Sequence, residues 1–169
     1  MHRSALIVGA TGLVGQRLLA RLLDDTDVSS VVALTRRPLS LPHPKLHEGV
    51  VDFASVADFA LPPVDDYFCC LGTTMAKAGS QAAFRAVDLD LPVTLARMAL
   101  AAGATRCFVV SALGADPRAT VFYHRVKGEL EAALGALPFA AVIAFRPSLL
   151  AGPRAETRIG ERIGLALAR

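Results

Sequence analysis

Tyr123 and Lys127 stand four residues apart in a stretch with helical patterning. On a helix that spacing puts both side chains on one face, with Cβ atoms about 5–6 Å apart. Such a pair can do proton chemistry. A protonated lysine stabilises a phenolate and draws a tyrosine down from its ordinary pKa of about 10, so that the phenol can give and take a proton at a working pH. Ser111 precedes Tyr123 and ends a short apolar run, the place where α/β sheets expose ligand-binding side chains. Its hydroxyl would hold and polarise a carbonyl oxygen. The alternative for the tyrosine and lysine is a structural helix face, with the ring packed and the ammonium solvated.

A second constellation lies near the N-terminus. Gly9, Gly12 and Gly15 are spaced GxxGxxG, directly after an apolar run and at the opening of a helical pattern. Gly9 allows a tight turn, Gly12 lets backbone approach a pyrophosphate, and Gly15 permits close packing of helix on strand. A helix N-terminus offers unpaired N–H groups and a positive dipole end to phosphate, so Thr11, Leu13 and Val14 join the glycines as cradle residues. About 20 residues further on, an NAD-selective site usually carries an acid for the ribose 2′-hydroxyl. Here the chain reads Ala33-Leu34-Thr35-Arg36-Arg37. Arg36 or Arg37 could clasp a 2′-phosphate through its guanidinium, which favours NADP(H) over NAD(H), with NAD the lesser option. A solvated arginine pair is the alternative. Asp52 could accept a hydrogen bond from an adenine amino group or cap the turn before Ser55.

The elements that must position these groups follow from periodicity. Strands are expected at 5–8, 31–34, 46–53, 67–71, 107–110 and 140–145, each short, apolar and bounded by Gly, Pro, Asp or Ser. Helices are expected at 15–23, 81–102 and 123–134, with a short turn at 55–59; Pro92 should kink or restart the long one. Loops are expected at 75–80 and 112–122. Alternation of this kind predicts an α/β fold, a doubly wound parallel sheet of strand order 3-2-1-4-5-6 with helices on both faces. Near the C-terminus, Ile159, Ile163 and Leu167 predict an amphipathic helix that stops in mid-pattern, as though more chain followed.

Composition narrows the classes. The chain has 169 residues, 53% hydrophobic and 20% charged, which suits one globular domain spanning 1–169 and excludes wholesale disorder. A net charge of +3 is too weak a field to argue for nucleic acid, and Arg154, Arg158 and Arg162 read as a solvated helix face. No uninterrupted apolar run approaches the roughly 18 residues of a membrane helix. Cys69, Cys70 and Cys107 read as buried thiols in a reducing cytoplasm. His43 and His47 lack the further ligands a metal site would need, and none is expected.

The combination of the glycine cradle with Ser111, Tyr123 and Lys127 resembles the short-chain dehydrogenase/reductase superfamily, over nearly the whole chain. More narrowly it is similar to the atypical members related to the Tat-interacting protein. The residues that carry this likeness are Cys70-Leu71-Gly72-Thr73-Thr74 through Lys77-Ala78-Gly79, Val87-Asp88, Ser111-Ala112-Leu113-Gly114-Ala115-Asp116, Tyr123-His124-Arg125-Val126-Lys127-Gly128-Glu129-Leu130-Glu131, and Phe145-Arg146-Pro147. The resemblance implies that Leu71, Gly72 and Thr73 line the adenine ribose and diphosphate, and that Tyr123 is the general acid/base. It also implies that Lys127 binds the nicotinamide ribose, and that Pro147 begins a loop covering the nicotinamide. Asp88 stands where many active relatives have an asparagine that supports a proton relay. The substrate-binding segment that such proteins carry past the last strand is short or cut off here.

The expected function is therefore an NADP(H)-dependent oxidoreductase acting on a small carbonyl or alcohol, as a monomer or homodimer. The competing expectation is a regulatory module that binds the cofactor, senses its redox state and engages a protein partner without turnover.

Overall fold

The apolar runs of the sequence become six parallel strands, and the segments between them become the crossovers. The computed structural model describes residues 2–148 and Leu150. The chain runs β1 (Arg3–Val8), α1 (Leu13–Asp24), β2 (Val28–Thr35), β3 (Leu46–Val50), a 3₁₀ turn (Val56–Asp58), β4 (Asp66–Cys69), α2 (Met75–Ala78) and α3 (Gln81–Arg85). It continues through a π-helical turn (Ala86–Asp90), α4 (Leu91–Ala101), β5 (Arg106–Val110), α5 (Phe122–Gly135) and β6 (Ala141–Phe145). The sheet order is β3-β2-β1-β4-β5-β6, all parallel, so the expected doubly wound architecture holds. The predicted helix around Ile159, and the arginines at 154, 158 and 162, lie outside the described residues.

Both faces of β1 are buried, which is why its run Ala5-Leu6-Ile7-Val8 is apolar without alternation. Ala5 and Ile7 pack with Leu19, Leu22 and Leu23 of α1 on one side. Leu6 and Val8 pack on the other with Tyr67, Phe84, Leu95 and Val126. The larger core thus joins α3, α4 and α5 to the sheet. Tyr67 is fully buried and donates its hydroxyl to the Pro92 carbonyl at 3.1 Å; burial raises its pKa well above the ordinary value. It is spent on structure.

Several boundaries differ from expectation for physical reasons. Strand β4 begins at Asp66 because that carboxylate is neutralised by two arginines from neighbouring strands, Arg3 and Arg106. The expected loop at 75–80 contains a single helical turn, capped by the Thr74 side chain at its start and by left-handed Gly79 at its end. Pro92 does not kink the long helix at its own position. It sits in the first turn of α4, and the disruption falls just upstream, where Leu91 N–H reaches back five residues to the Ala86 carbonyl. Proline has no N–H for the Asp88 carbonyl, and a widened turn absorbs the mismatch.

Candidate functional site

The loop after β1 is held by contacts that only glycine permits. Gly9 has φ +76°, and a Cβ there would lie 2.5 Å from the Cys70 carbonyl group. A Cβ on Gly15 would lie 2.1 Å from the Gly9 oxygen. The two glycines therefore press the β1 loop against both the chain leaving β4 and the first turn of α1. Gly12 N–H donates to the Gly9 carbonyl at 2.9 Å, and Gly12 is the N-cap of α1 without a side-chain cap. The helix starts at Leu13, two residues before the expected position, so Leu13, Val14 and Gly15 form the turn whose N–H groups lack helical acceptors. Thr11 and Gly12 are exposed beside them. This cradle fits a diphosphate.

At the carboxyl end of β2, Thr35 is buried with its Oγ1 unpartnered, and Arg36 and Arg37 follow it, both exposed. Asp52 is exposed, and its Oδ1 accepts the Ala54 N–H at 3.0 Å. The carboxylate thus closes its own turn, while Ser55 takes the cap position of the 3₁₀ segment. After β4, Leu71 is half-buried and Gly72 exposed, and Thr73 N–H donates to Asp88 Oδ2 at 2.8 Å.

Helix α5 carries Tyr123 and Lys127, and Gly128 sets how closely it approaches the rest. A Cβ on Gly128 would lie 2.2 Å from Asp116 and Pro117 backbone, so the helix packs directly onto the loop that follows Ser111. Tyr123 is half-buried, with its ring edge-to-face on Phe84 at 5.9 Å and on His124 at 5.7 Å. Lys127 is only 3% exposed, which removes the solvated-lysine alternative. Its Nζ lies 2.8 Å from Asp88 Oδ1, an ion pair off the line of a hydrogen bond.

Ser111 is buried too, with its hydroxyl beside the Glu131 carboxylate. Its N–H donates to the Phe145 carbonyl at 2.8 Å, and Leu113 N–H donates to the Pro147 carbonyl at 2.9 Å, so the chain after β6 runs beside the serine loop. Glu131, one turn beyond Lys127, is ion-paired with Arg146. Burial alone would raise the Glu131 carboxyl, but Arg146, the nearby Ser111 hydroxyl and the Lys127 charge together hold it below its ordinary value. Ser111 and Lys127 thus both adjoin Glu131. In the sequence, Gly128, Glu131 and Arg146 stand only as carriers of the resemblance, with no role, and Asp88 is not connected to Thr73 or Lys127. The i+4 step from Lys127 to Glu131 was the one local geometric signal for a role.

A cavity of about 630 Å³ opens on the α1 side of β4, β5 and β6, lined by Val14, Leu18, Phe68, Cys70, Phe108, Val110, Phe145 and Pro147 among others. Phe68 and Phe108 stack within it at 4.6 Å. Val14 and Pro147 join this apolar space to the cradle; Ser111, Tyr123 and Lys127 are not part of its wall. Burial pushes the Cys70 and Cys107 thiols up to about 12 and raises Cys69, so none is a ready thiolate.

Residues 9–141 match the NAD(P)H-binding family. The chain belongs to that family. This NAD(P)H-binding chain is 38% identical to the mitochondrial protein FMP52 of Coccidioides immitis, over 92% of its own length and 69% of the relative's. It is 36% identical to protein HTATIP2 of Rattus norvegicus, over 95% of its length and 68% of the relative's. Among solved structures, its fold matches the Bordetella bronchiseptica enzyme WbmG in complex with NAD, with TM-score 0.73, 17% identity, and coverage of 99% of this chain and 60% of that one. It also matches human epimerase family protein SDR39U1 with NADPH, with TM-score 0.65, 17% identity, and coverage of 95% and 58%. The NAD(P)H-binding chain thus spans about three-fifths of these solved structures. The atypical dehydrogenase/reductase-like grouping is borne out, and the family binds NAD(P). The cytoplasmic expectation is corrected, because relatives named FMP52 are named mitochondrial. Buried free thiols require a compartment that keeps thiols reduced, and do not identify which one.

Proposed function

We propose that the chain is an NADP(H)-dependent oxidoreductase acting on a small carbonyl or alcohol through Ser111, Tyr123 and Lys127. When bound, the dinucleotide supplies or accepts the hydride. Gly9, Thr11, Gly12, Leu13, Val14 and Gly15 would hold its diphosphate, with Leu71, Gly72 and Thr73 along the adenine ribose side. Arg36 or Arg37 would take the 2′-phosphate. Asp52 would offer the adenine only the oxygen not used by Ala54. Lys127 would reach the nicotinamide ribose, and Pro147 would begin the loop over that ring.

In carbonyl reduction, Ser111 Oγ–H donates to the substrate oxygen and orients it. Tyr123 O–H would give its proton to that oxygen, and Lys127 would stabilise the resulting phenolate. The reverse direction uses the same groups in opposite roles. The observation that carries this reading is the burial of Lys127, one helical turn from Tyr123, with the buried Ser111 beside Glu131 of the same helix.

The test is NADPH oxidation across small aldehydes, ketones and quinones, with cofactor titrations beside it. Tyr123→Phe should keep NADPH affinity and lose turnover by about 10²–10⁴-fold. Arg36→Ala should erase most preference for NADPH over NADH; if only Arg37→Ala does so, the role moves one residue along. Wild-type turnover in Tyr123→Phe overturns the mechanism. Partner binding that needs NADPH yet ignores Tyr123→Phe would support the sensing module instead.

A further inference from the structure

Asp88 is the most deeply buried charged side chain among the described residues, at 1% exposure. It lies in the π-helical turn between α3 and α4, and its two oxygens face different parts of the site. Oδ2 accepts the backbone N–H of Thr73, in the loop after β4, and Oδ1 sits 2.8 Å from the Lys127 ammonium on α5. A Cβ on Gly72 would also meet Oδ1, at 3.6 Å. One carboxylate therefore touches the two chain segments that the proposed function assigns to the dinucleotide.

We propose that Asp88 is a positioning residue that fixes Lys127 and the 72–73 loop relative to each other, so that both meet the bound dinucleotide in register. The proposal rests on the reading of Lys127 given above. Both neighbours of Asp88 are donors only, so the position needs an acceptor at each end of the side chain. A carboxylate offers that. An asparagine offers one oxygen and one NH₂ group, which would face either the Thr73 N–H or the ammonium without attraction. The acid at 88 thus answers to its two donors and is no mere loss of the asparagine found in many dehydrogenases. Oδ1 thus holds the ammonium by an ion pair at 2.8 Å, and Oδ2 holds the loop by the Thr73 N–H.

The experiment is a double-mutant cycle of Asp88→Asn and Lys127→Met, with NADPH and NADH titrated by cofactor fluorescence and turnover measured at saturating cofactor. In the wild-type background Asp88→Asn should weaken dinucleotide binding about tenfold and lower kcat. In the Lys127→Met background it should change kcat by less than about twofold, because the group through which it acts is gone. Equal losses in the two backgrounds, or no loss in either, overturn the proposal. If Asp88→Asn alone does not fold, the double variant should, since it carries no stranded ammonium; a double variant that also fails to fold overturns it.

Thr73 amide exchange in the cofactor-free protein reads the other contact. It should be at least about tenfold faster in Asp88→Asn/Lys127→Met than in Lys127→Met if the amide turns inward there, and unchanged if carboxamide oxygen replaces Oδ2. The second result is the expected one. Fast exchange in the wild type overturns the loop anchor. Tyr123→Phe measured alongside keeps the two readings apart: if it turns over normally, the mechanism falls, while the coupling of 88 to 127 in dinucleotide affinity is still decided.

Discussion

Two carboxylates hold cations at opposite ends of this sheet, and they do so in opposite ways. Asp66, at the amino end of β4, receives two arginine forks: Arg3 from β1 at 2.7 and 2.9 Å, and Arg106 from β5 at 2.7 Å through both Nε and Nη2. Every lone pair is matched, and the arginine side chains stay 35% and 37% exposed. Asp88 lies beyond the carboxyl end of the same strand with one lysine, one backbone N–H and almost no solvent. The first cluster satisfies its groups completely and ties three strand ends together. The second holds a single lysine in a buried place, an arrangement costly for stability alone. The complete cluster ties the sheet together, and the sparser one lies at the end that the proposed function uses.

The largest effect that would sharpen this contrast is on Asp88. Asp88→Ala strands a buried ammonium and should destabilise the protein by about 3–5 kcal/mol, read from urea melts at neutral pH. A cost no larger than that of a surface substitution would break the contrast. Asp66→Ala should cost less, about 1–2 kcal/mol, because water can reach both released arginines. Raising salt should shrink that difference from wild type, while the Asp88→Ala difference holds.

The smallest effect is a slope. Burial raises the Asp66 carboxyl, but its hydrogen bonds to Arg106 and Arg3 outweigh this and bring it below its ordinary 3.8. The unfolded chain therefore takes up that proton first, and stability present above 3.8 is lost as pH falls toward and through the lowered folded value. Urea melts across the acid range should show a shallower decline in Asp66→Asn than in the wild type. Equal slopes would mean that the two arginines contribute nothing net.

Much of the fold was legible because its signals are local. Ala5-Leu6-Ile7-Val8 can hardly be anything but a strand buried on both faces, and the glycines after it announce the turn and helix. The i+4 step from Tyr123 to Lys127 was equally readable, since helix geometry fixes it. What escaped depends on approaches across the fold. A charged residue opening β4 makes sense only once Arg3 and Arg106 arrive from other strands. Gly128 looks like an idle helix glycine until the backbone of Asp116 and Pro117 is found against it. The acid at 88 could be compared with an asparagine elsewhere, but not understood, because its two donors come from a loop 15 positions before it and from α5, beyond α4 and β5. Cellular placement left no mark in the thiols at all.

The wide turn at Ala86–Asp90 also acts as a register device. Each residue of a regular helix turns the next side chain by about 100°. A turn holding one residue more than the regular pitch therefore shifts the azimuth between α3 and α4 by that amount without lengthening the crossover much. Shortening the turn by one residue would keep the composition of the helix almost intact while rotating Ser80 to Arg85 out of phase with the sheet. The crossover is thus tolerant of substitution along its exposed side but intolerant of any change in its length.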